Sequence, residues 1–152
     1  MPAEAPPPSF GPELSVHHEA LDAQHREVFE ALEAAVAALD GPRVALEAAV
    51  ARFADATLSH LAAEEALMEE ALYPDRGRHR TAHEMFVSDL VPLRAELAEK
   101  GPTPVVGEWL RTRLPEWLRF HIRVNDVPVA EHLARKRSAG EPRARRPDRR
   151  LS

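Results

Sequence analysis

The 152-residue chain contains no cysteine. That absence removes disulfides, thiolate-bound zinc ribbons and cysteine-ligated iron–sulfur clusters together. Phe, Trp and Tyr make up only 5% of the residues, and no stretch alternates apolar and polar residues as a half-buried strand does. No apolar run approaches the roughly 20 residues that a membrane span requires. The opening MPAEAPPPSFGPE lacks the basic-then-apolar pattern of a secretion signal, so the expectation is a cytoplasmic protein. What is abundant is Ala, Leu, Glu and Arg, a composition that favours helix in one domain large enough to bury a core.

The formal charge of −5 conceals a division. From Arg135 onward, eight basic residues face only Glu141 and Asp148, a net of +6, which leaves −11 for residues 1–134. A basic tail suits an anionic partner, nucleic acid or membrane surface. The plainer reading is a solvated, disordered tail, since residues 135–152 lack aromatics and amphipathic period. No nucleic-acid partner is therefore expected, and the sequence sets no oligomeric state. Residues 1–14 are proline-rich and read as irregular.

Between these ends, residues 15–134 divide into four segments of helical period. The first runs from about Glu19 to Leu39 and stops at Asp40-Gly41-Pro42. The second runs from about Pro42 to Leu72 and breaks at Tyr73-Pro74-Asp75. The third extends from about Asp75 to Lys100, with a bend expected at Pro92. The fourth spans Val105 to about Leu133, interrupted by Pro115 and Pro128. The expected fold is all-α, an up-down-up-down four-helix bundle.

Ionisable residues occupy the inner stripe of every helix. His25 lies on the first, His60 and Glu64 on the second, His79 and His83 on the third, His121 and Asp126 on the fourth. The pairs His60/Glu64 and His79/His83 are four residues apart and share a helical face. Such groups are costly in a core unless something satisfies them together, and a metal does so. Seven nitrogen and oxygen donors exceed the needs of one tetrahedral zinc. They suit a pair of harder ions such as iron or manganese in the bundle core. Glu65, Glu69 and Glu70 are rotated off that face, and His17, His18 and His132 fall outside the paired spacings, which places them at the surface. One spacing resists ideal geometry: His121 and Asp126 are five residues apart, about 140° on a straight helix, and Pro128 is a source of distortion there.

The strings LDAQHREVF, HLAAEEALM, YPDRGRHRTAHEMF and WLRFHIRVND, over roughly residues 10–133, resemble the hemerythrins, in particular their bacterial single-domain form. The resemblance implies two iron ions per chain. One would be held by His79, His83 and His121 and the other by His25 and His60. Glu64 and Asp126 would bridge them together with an oxo or hydroxo group. It implies reversible dioxygen binding at the iron with fewer histidines, for storage, buffering or delivery, rather than enzymatic turnover. Val28, Leu61, Trp117, Leu118 and Ile122 would wall the oxygen pocket, and Asn125, one turn after His121, is placed there too. The chain departs from the family's usual pattern at Phe10, Leu61 and Asn125. An oxygen or redox sensor, or an oxidase or peroxidase-like enzyme, is the alternative. A ferritin-like oxidase would need Glu-x-x-His motifs on two helices, and this chain has none.

Overall fold

A computed structural model describes residues 8–140. Helix α1 spans Glu19–Ala37, α2 Arg43–Glu70 and α3 Arg76–Lys100. A fourth helical rod follows as α4 Pro104–Glu108, a π turn Trp109–Arg113, α5 Leu114–His121, a second π turn Ile122–Asp126, and α6 Val127–Gly140. The rods pack α1 on α2 and α2 on α3, α3 against α4, and the fourth rod returns to α1. The fold is a four-helix bundle with up-down-up-down connections.

Local chemistry sets the ends of the rods. The His18 ring accepts the Leu21 amide at 3.2 Å and caps α1, while the Asp22 carboxylate ties down Ser15 Oγ at 2.6 Å and the Val16 amide at 2.8 Å. A 3₁₀ turn, Ala38–Asp40, closes the first rod. Helix α2 ends in a six-to-one turn, in which Tyr73 N–H donates to Met68 O and Leu72 adopts a left-handed φ of 53°. Gly101, with φ 77°, ends α3 in a conformation that suits glycine. Arg43 donates to the carbonyls Leu97 O and Ala98 O there. Thr103 then caps α4, with Pro104 at its first turn.

Helix α3 runs unbroken through Pro92. In the fourth rod, Pro115 and Pro128 neither split nor end the helix. Each follows a π turn, in which Leu114 N–H reaches Trp109 O and Val127 N–H reaches Ile122 O. A proline ring clashes with the carbonyl four residues back, here Arg111 or Val124, and the wider turn accommodates it. The helix also continues through Arg135, Lys136 and Arg137 to Gly140, taking in the first six residues of the expected disordered tail. The readings of residues 1–7 as irregular and of 141–152 as a disordered tail fall outside the described residues. At the other end, Pro12–Leu14 form a 3₁₀ turn whose Leu14 is buried in the core, so the segment before α1 is only partly irregular.

The core is a continuous apolar cluster that includes Phe29, Phe53, Phe86, Leu32, Leu46, Leu93, Leu110 and Leu114. Among the described residues, no helix is long and apolar enough to cross a membrane.

Candidate metal centre

Helix α1 contributes His25, α2 His60 and Glu64, α3 His79 and His83, and the fourth rod His121 and Asp126. All seven are buried, and Glu64 and Asp126 have no exposed surface at all. The second π turn explains the last pair. An i→i+5 turn brings residues five apart nearly into line, and His121 Nε2 lies 3.0 Å from Asp126 Oδ1.

The donor atoms form two overlapping groups, each with its atoms within 4.8 Å of one another. One contains Glu64, His79, His83, His121 and Asp126, the other His25, His60, Glu64 and Asp126. The two carboxylates belong to both, and each turns one oxygen to each group. Glu64 Oε1 lies 2.6 Å from His79 Nε2 and 3.1 Å from His83 Nε2, while its Oε2 faces His60 Nε2 at 3.9 Å. Asp126 Oδ1 faces His79 and His121, and its Oδ2 lies 2.9 Å from His25 Nε2 and 3.9 Å from His60 Nε2. Two carboxylates between unequal sets of imidazoles form a bridging arrangement.

The residues fit metal ions by a test internal to the structure. Buried polar atoms are normally hydrogen-bonded. Here His25 Nε2, His60 Nε2, Glu64 Oε2 and both Asp126 oxygens are buried without a hydrogen-bond partner. His121 Nε2 also lies 3.2 Å from both His79 Nε2 and His83 Nε2. Nitrogens at right angles about an ion, each about 2.1 Å from it, would stand about 3 Å apart. Imidazole nitrogens facing one another satisfy each other poorly at that spacing, and a single shared cation resolves the crowding.

The electrostatics show the same demand for positive charge. Burial and the Asp126 carboxylate push Glu64 upward, but hydrogen bonds from His121, His79 and His83 outweigh them and hold it at about 2. Asp126 is likewise raised by burial and held well below the carboxylate range by His121, His25, His60 and His79. Burial lowers His79, yet Asp126 and Glu64 bring it up to about 9, and His121 moves the same way. His83 is lowered, chiefly by burial. Protons on His79 and His121 are what the two carboxylates hold when no metal is bound.

Residues around the donors fix their orientation. His60 Nδ1–H donates to Gln24 Oε1 at 2.7 Å, which leaves Nε2 free to face the centre. Trp117 stacks on His121 with centroids 4.6 Å apart and an interplanar angle of 11°. The Asn125 amide lies 3.2 Å from His121 Nδ1. It is Asn125 Nδ2 that faces that nitrogen; turning the amide over puts Oδ1 there, where it accepts the Nδ1–H and directs Nε2 to the centre. Asn125→Leu is therefore expected to weaken metal binding by about 10- to 100-fold, measured by competition with a chelator. An unchanged affinity would make this contact incidental. Glu65 stands 3.9 Å from His83 Nδ1 and is held by Arg80, while Glu69 pairs with Arg76 on the surface.

A small, narrow-mouthed apolar cavity of about 10 Å³ adjoins the centre. Val28, Leu61, Trp117, Leu118 and Ile122 line it, with Phe29 and Thr57, which sequence reasoning missed. Both fall on the inner stripes, Phe29 four residues after His25 and Thr57 three before His60, and that spacing was the available signal. Asn125 does not line the cavity, because its side chain is turned to His121 instead. Among the donors, His25, His60, His121 and Asp126 reach the cavity, whereas His79 and His83 do not. His132 is not a surface residue but half-buried. Its Nε2–H donates to Ala71 O at 2.9 Å, and its ring packs against Tyr73, pinning α6 to the α2–α3 turn.

Comparison with known proteins agrees with this geometry. Residues 16–128 match the family model described as the hemerythrin HHE cation binding domain. The chain is similar to a bacteriohemerythrin of Stenotrophomonas maltophilia, 34% identical over 122 residues, which cover 80% of this chain and 78% of that protein. A bacteriohemerythrin of Pseudomonas aeruginosa is 32% identical over 116 residues, covering 76% and 74% of the two chains. One from Ralstonia nicotianae is 32% identical over 118 residues, covering 77% and 82%.

Proposed function

The chain belongs to the hemerythrin family, and on that premise we propose that it binds dioxygen reversibly at a non-haem di-iron centre, for storage, buffering or delivery of oxygen. In this reading His79, His83 and His121 hold one iron, His25 and His60 hold the other, and Glu64 and Asp126 bridge them. Bound there, the pair would supply two electrons and a position for dioxygen on the iron with fewer imidazoles.

The observation that carries the proposal is the position of the cavity. It touches both imidazoles of the smaller group, His25 and His60, and only His121 of the three in the larger one, and is walled by aliphatic and aromatic side chains. An unequal donor count leaves one metal open, and the cavity lies against that side. Val28, Leu61, Leu118 and Ile122 keep out the water and protons that would drive off the ligand in oxidised form. Gln24 fixes the His60 tautomer, and Trp117 holds the plane of the His121 ring.

Turnover of a substrate would need an acid–base group outside the metal ligands. The polar groups lining the cavity are the ligands themselves and Thr57, whose hydroxyl donates to Phe53 O at 2.8 Å. This favours carriage over oxidase or peroxidase chemistry. Elemental analysis is expected to find two irons per chain, with a visible absorption that appears on exposure to oxygen. His25→Ala and His60→Ala should each abolish that response, whereas His17→Ala, at an exposed residue, should not. One zinc per chain and no visible absorption would overturn the proposal.

A further inference from the structure

On the outer side of Trp117 lies a second feature, an open groove of about 490 Å³ between α3 and the fourth rod. Its apolar surface comes from Phe86, Trp109, Trp117 and Phe120, the last 62% exposed. Its charged rim consists of Asp89, Glu108 and Glu116 against a single Arg113. Trp117 is the one aromatic side chain that lines both this groove and the small cavity. Phe86 stacks on it at 4.1 Å, and its other neighbour is the His121 ring at 4.6 Å, nearly parallel. A continuous column of rings thus joins an exposed groove to a residue of the buried donor set.

We propose that this groove receives a planar, cationic one-electron donor, and that Trp117 carries the electron from it to His121 and the oxidised di-iron pair. The inference rests on the di-iron reading above. The occupant's shape follows from the two rings whose faces are open to it, Phe120, which is exposed, and Trp109, which already takes the planar Arg113 guanidinium over its face at 5.6 Å, since such rings attract flat cations through their faces. Its charge follows from the rim, where three carboxylates outnumber one guanidinium that already pairs with Glu108 at 3.7 Å. A carrier that is from time to time left in its oxidised state needs such an entry, because the cavity of about 10 Å³ is itself too small to admit a reductant. Each donor loses one electron, and one ferric ion becomes ferrous for each. Two donors restore the pair. No bond to Trp117 forms or breaks, since the electron tunnels through its π system, whose stacking on His121 shortens the gap.

Reduced methyl viologen, a flat radical cation, serves as the probe. The full-length, iron-loaded, oxidised protein is mixed with it under anaerobic conditions, and loss of its blue colour is followed against concentration. Replacing the three rim carboxylates together (Asp89→Asn, Glu108→Gln and Glu116→Gln) should raise the half-saturating concentration about tenfold without changing the limiting rate. Trp117→Leu should instead lower the limiting rate several-fold and leave half-saturation little changed. Dithionite, whose reducing species is an anion, should lose no rate in the carboxylate variant. A second readout is independent of the metal. In Trp109→Phe, where Trp117 is the remaining tryptophan, oxidised methyl viologen should quench emission saturably, with the midpoint moved upward when the rim carboxylates are also replaced.

Unsaturable quenching that ignores the carboxylates would overturn the docking site, and it is read whether or not Trp117→Leu folds. An unchanged limiting rate in a Trp117→Leu protein with full iron content would overturn the relay. Failure of the di-iron premise is distinguishable from both, because iron content and the oxygen-dependent spectrum are measured before viologen is added.

Discussion

Replacing Glu64 or Asp126 with alanine should yield a protein that purifies with essentially no iron, affinity at both positions falling by more than the roughly 100-fold that a supporting contact is worth. Each carboxylate turns one oxygen to each donor group, so neither metal position keeps its full set when one is removed. His83→Ala is the comparison, because His83 belongs to the three-imidazole group alone. That variant should retain metal at the His25–His60 position. The bridge variants should also be less stable without metal. Removing Glu64 strands the His79 and His83 nitrogens in a buried site, at about 1–3 kcal/mol for each unsatisfied group. Metal counts on all three purified proteins, with thermal melts of their chelated forms, check this. A Glu64→Ala protein that holds one iron as firmly as His83→Ala does would show that Glu64 serves one metal only.

Much of this site could be read from spacing, and the exceptions have identifiable physical causes. His60/Glu64 and His79/His83 are four residues apart on regular helices, so their shared faces follow from helical geometry. His121/Asp126 is not readable that way, because the π turn before Pro128 changes the rotation between them. The chain does carry a hint, since Leu114-Pro115 and Val127-Pro128 both sit just past a π turn. The fourfold helical division was equally legible from periodicity, whereas the continuity of the fourth rod through its prolines was not. Contacts between helices were the least accessible. Gln24 meets His60 across 36 residues of chain, and His132 meets Ala71 across 61. Neither pairing leaves a trace in local pattern. Asn125 shows the converse error. Its place one turn from His121 was legible, but a neighbour at that spacing can contact the ring of the ligand as well as the pocket in front of it.

Chelating the metal should lower the melting temperature by roughly 10–20 °C, since a ligand held at about 1,000 times its dissociation constant adds about 4 kcal/mol to a native state of this size. The metal-free protein should still fold near neutral pH, because protons on His79 and His121 replace the missing positive charge beside Glu64 and Asp126. That substitution has a definite pH range. His79 is raised from 6.5 to about 9, so the stability it contributes is complete below about 6.5 and is lost as the pH rises through about 9. Glu64 is depressed from 4.5 to about 2, so its contribution is complete above about 4.5 and is lost as the pH falls through about 2. Between pH 7 and 9 the metal-free melting temperature should therefore decline, and the gap to the metal-loaded protein should widen. Metal keeps the same imidazoles neutral and bound throughout that range, so the loaded protein has no such proton to lose. Below about pH 5 the gap closes: protons compete for the imidazoles, metal is released, and the two melting curves converge. Melts of loaded and chelated protein at intervals from pH 4 to pH 10 test both limbs. Parallel curves across the alkaline limb would mean that His79 carries no proton in the metal-free state, and that the carboxylates are stabilised in some other way.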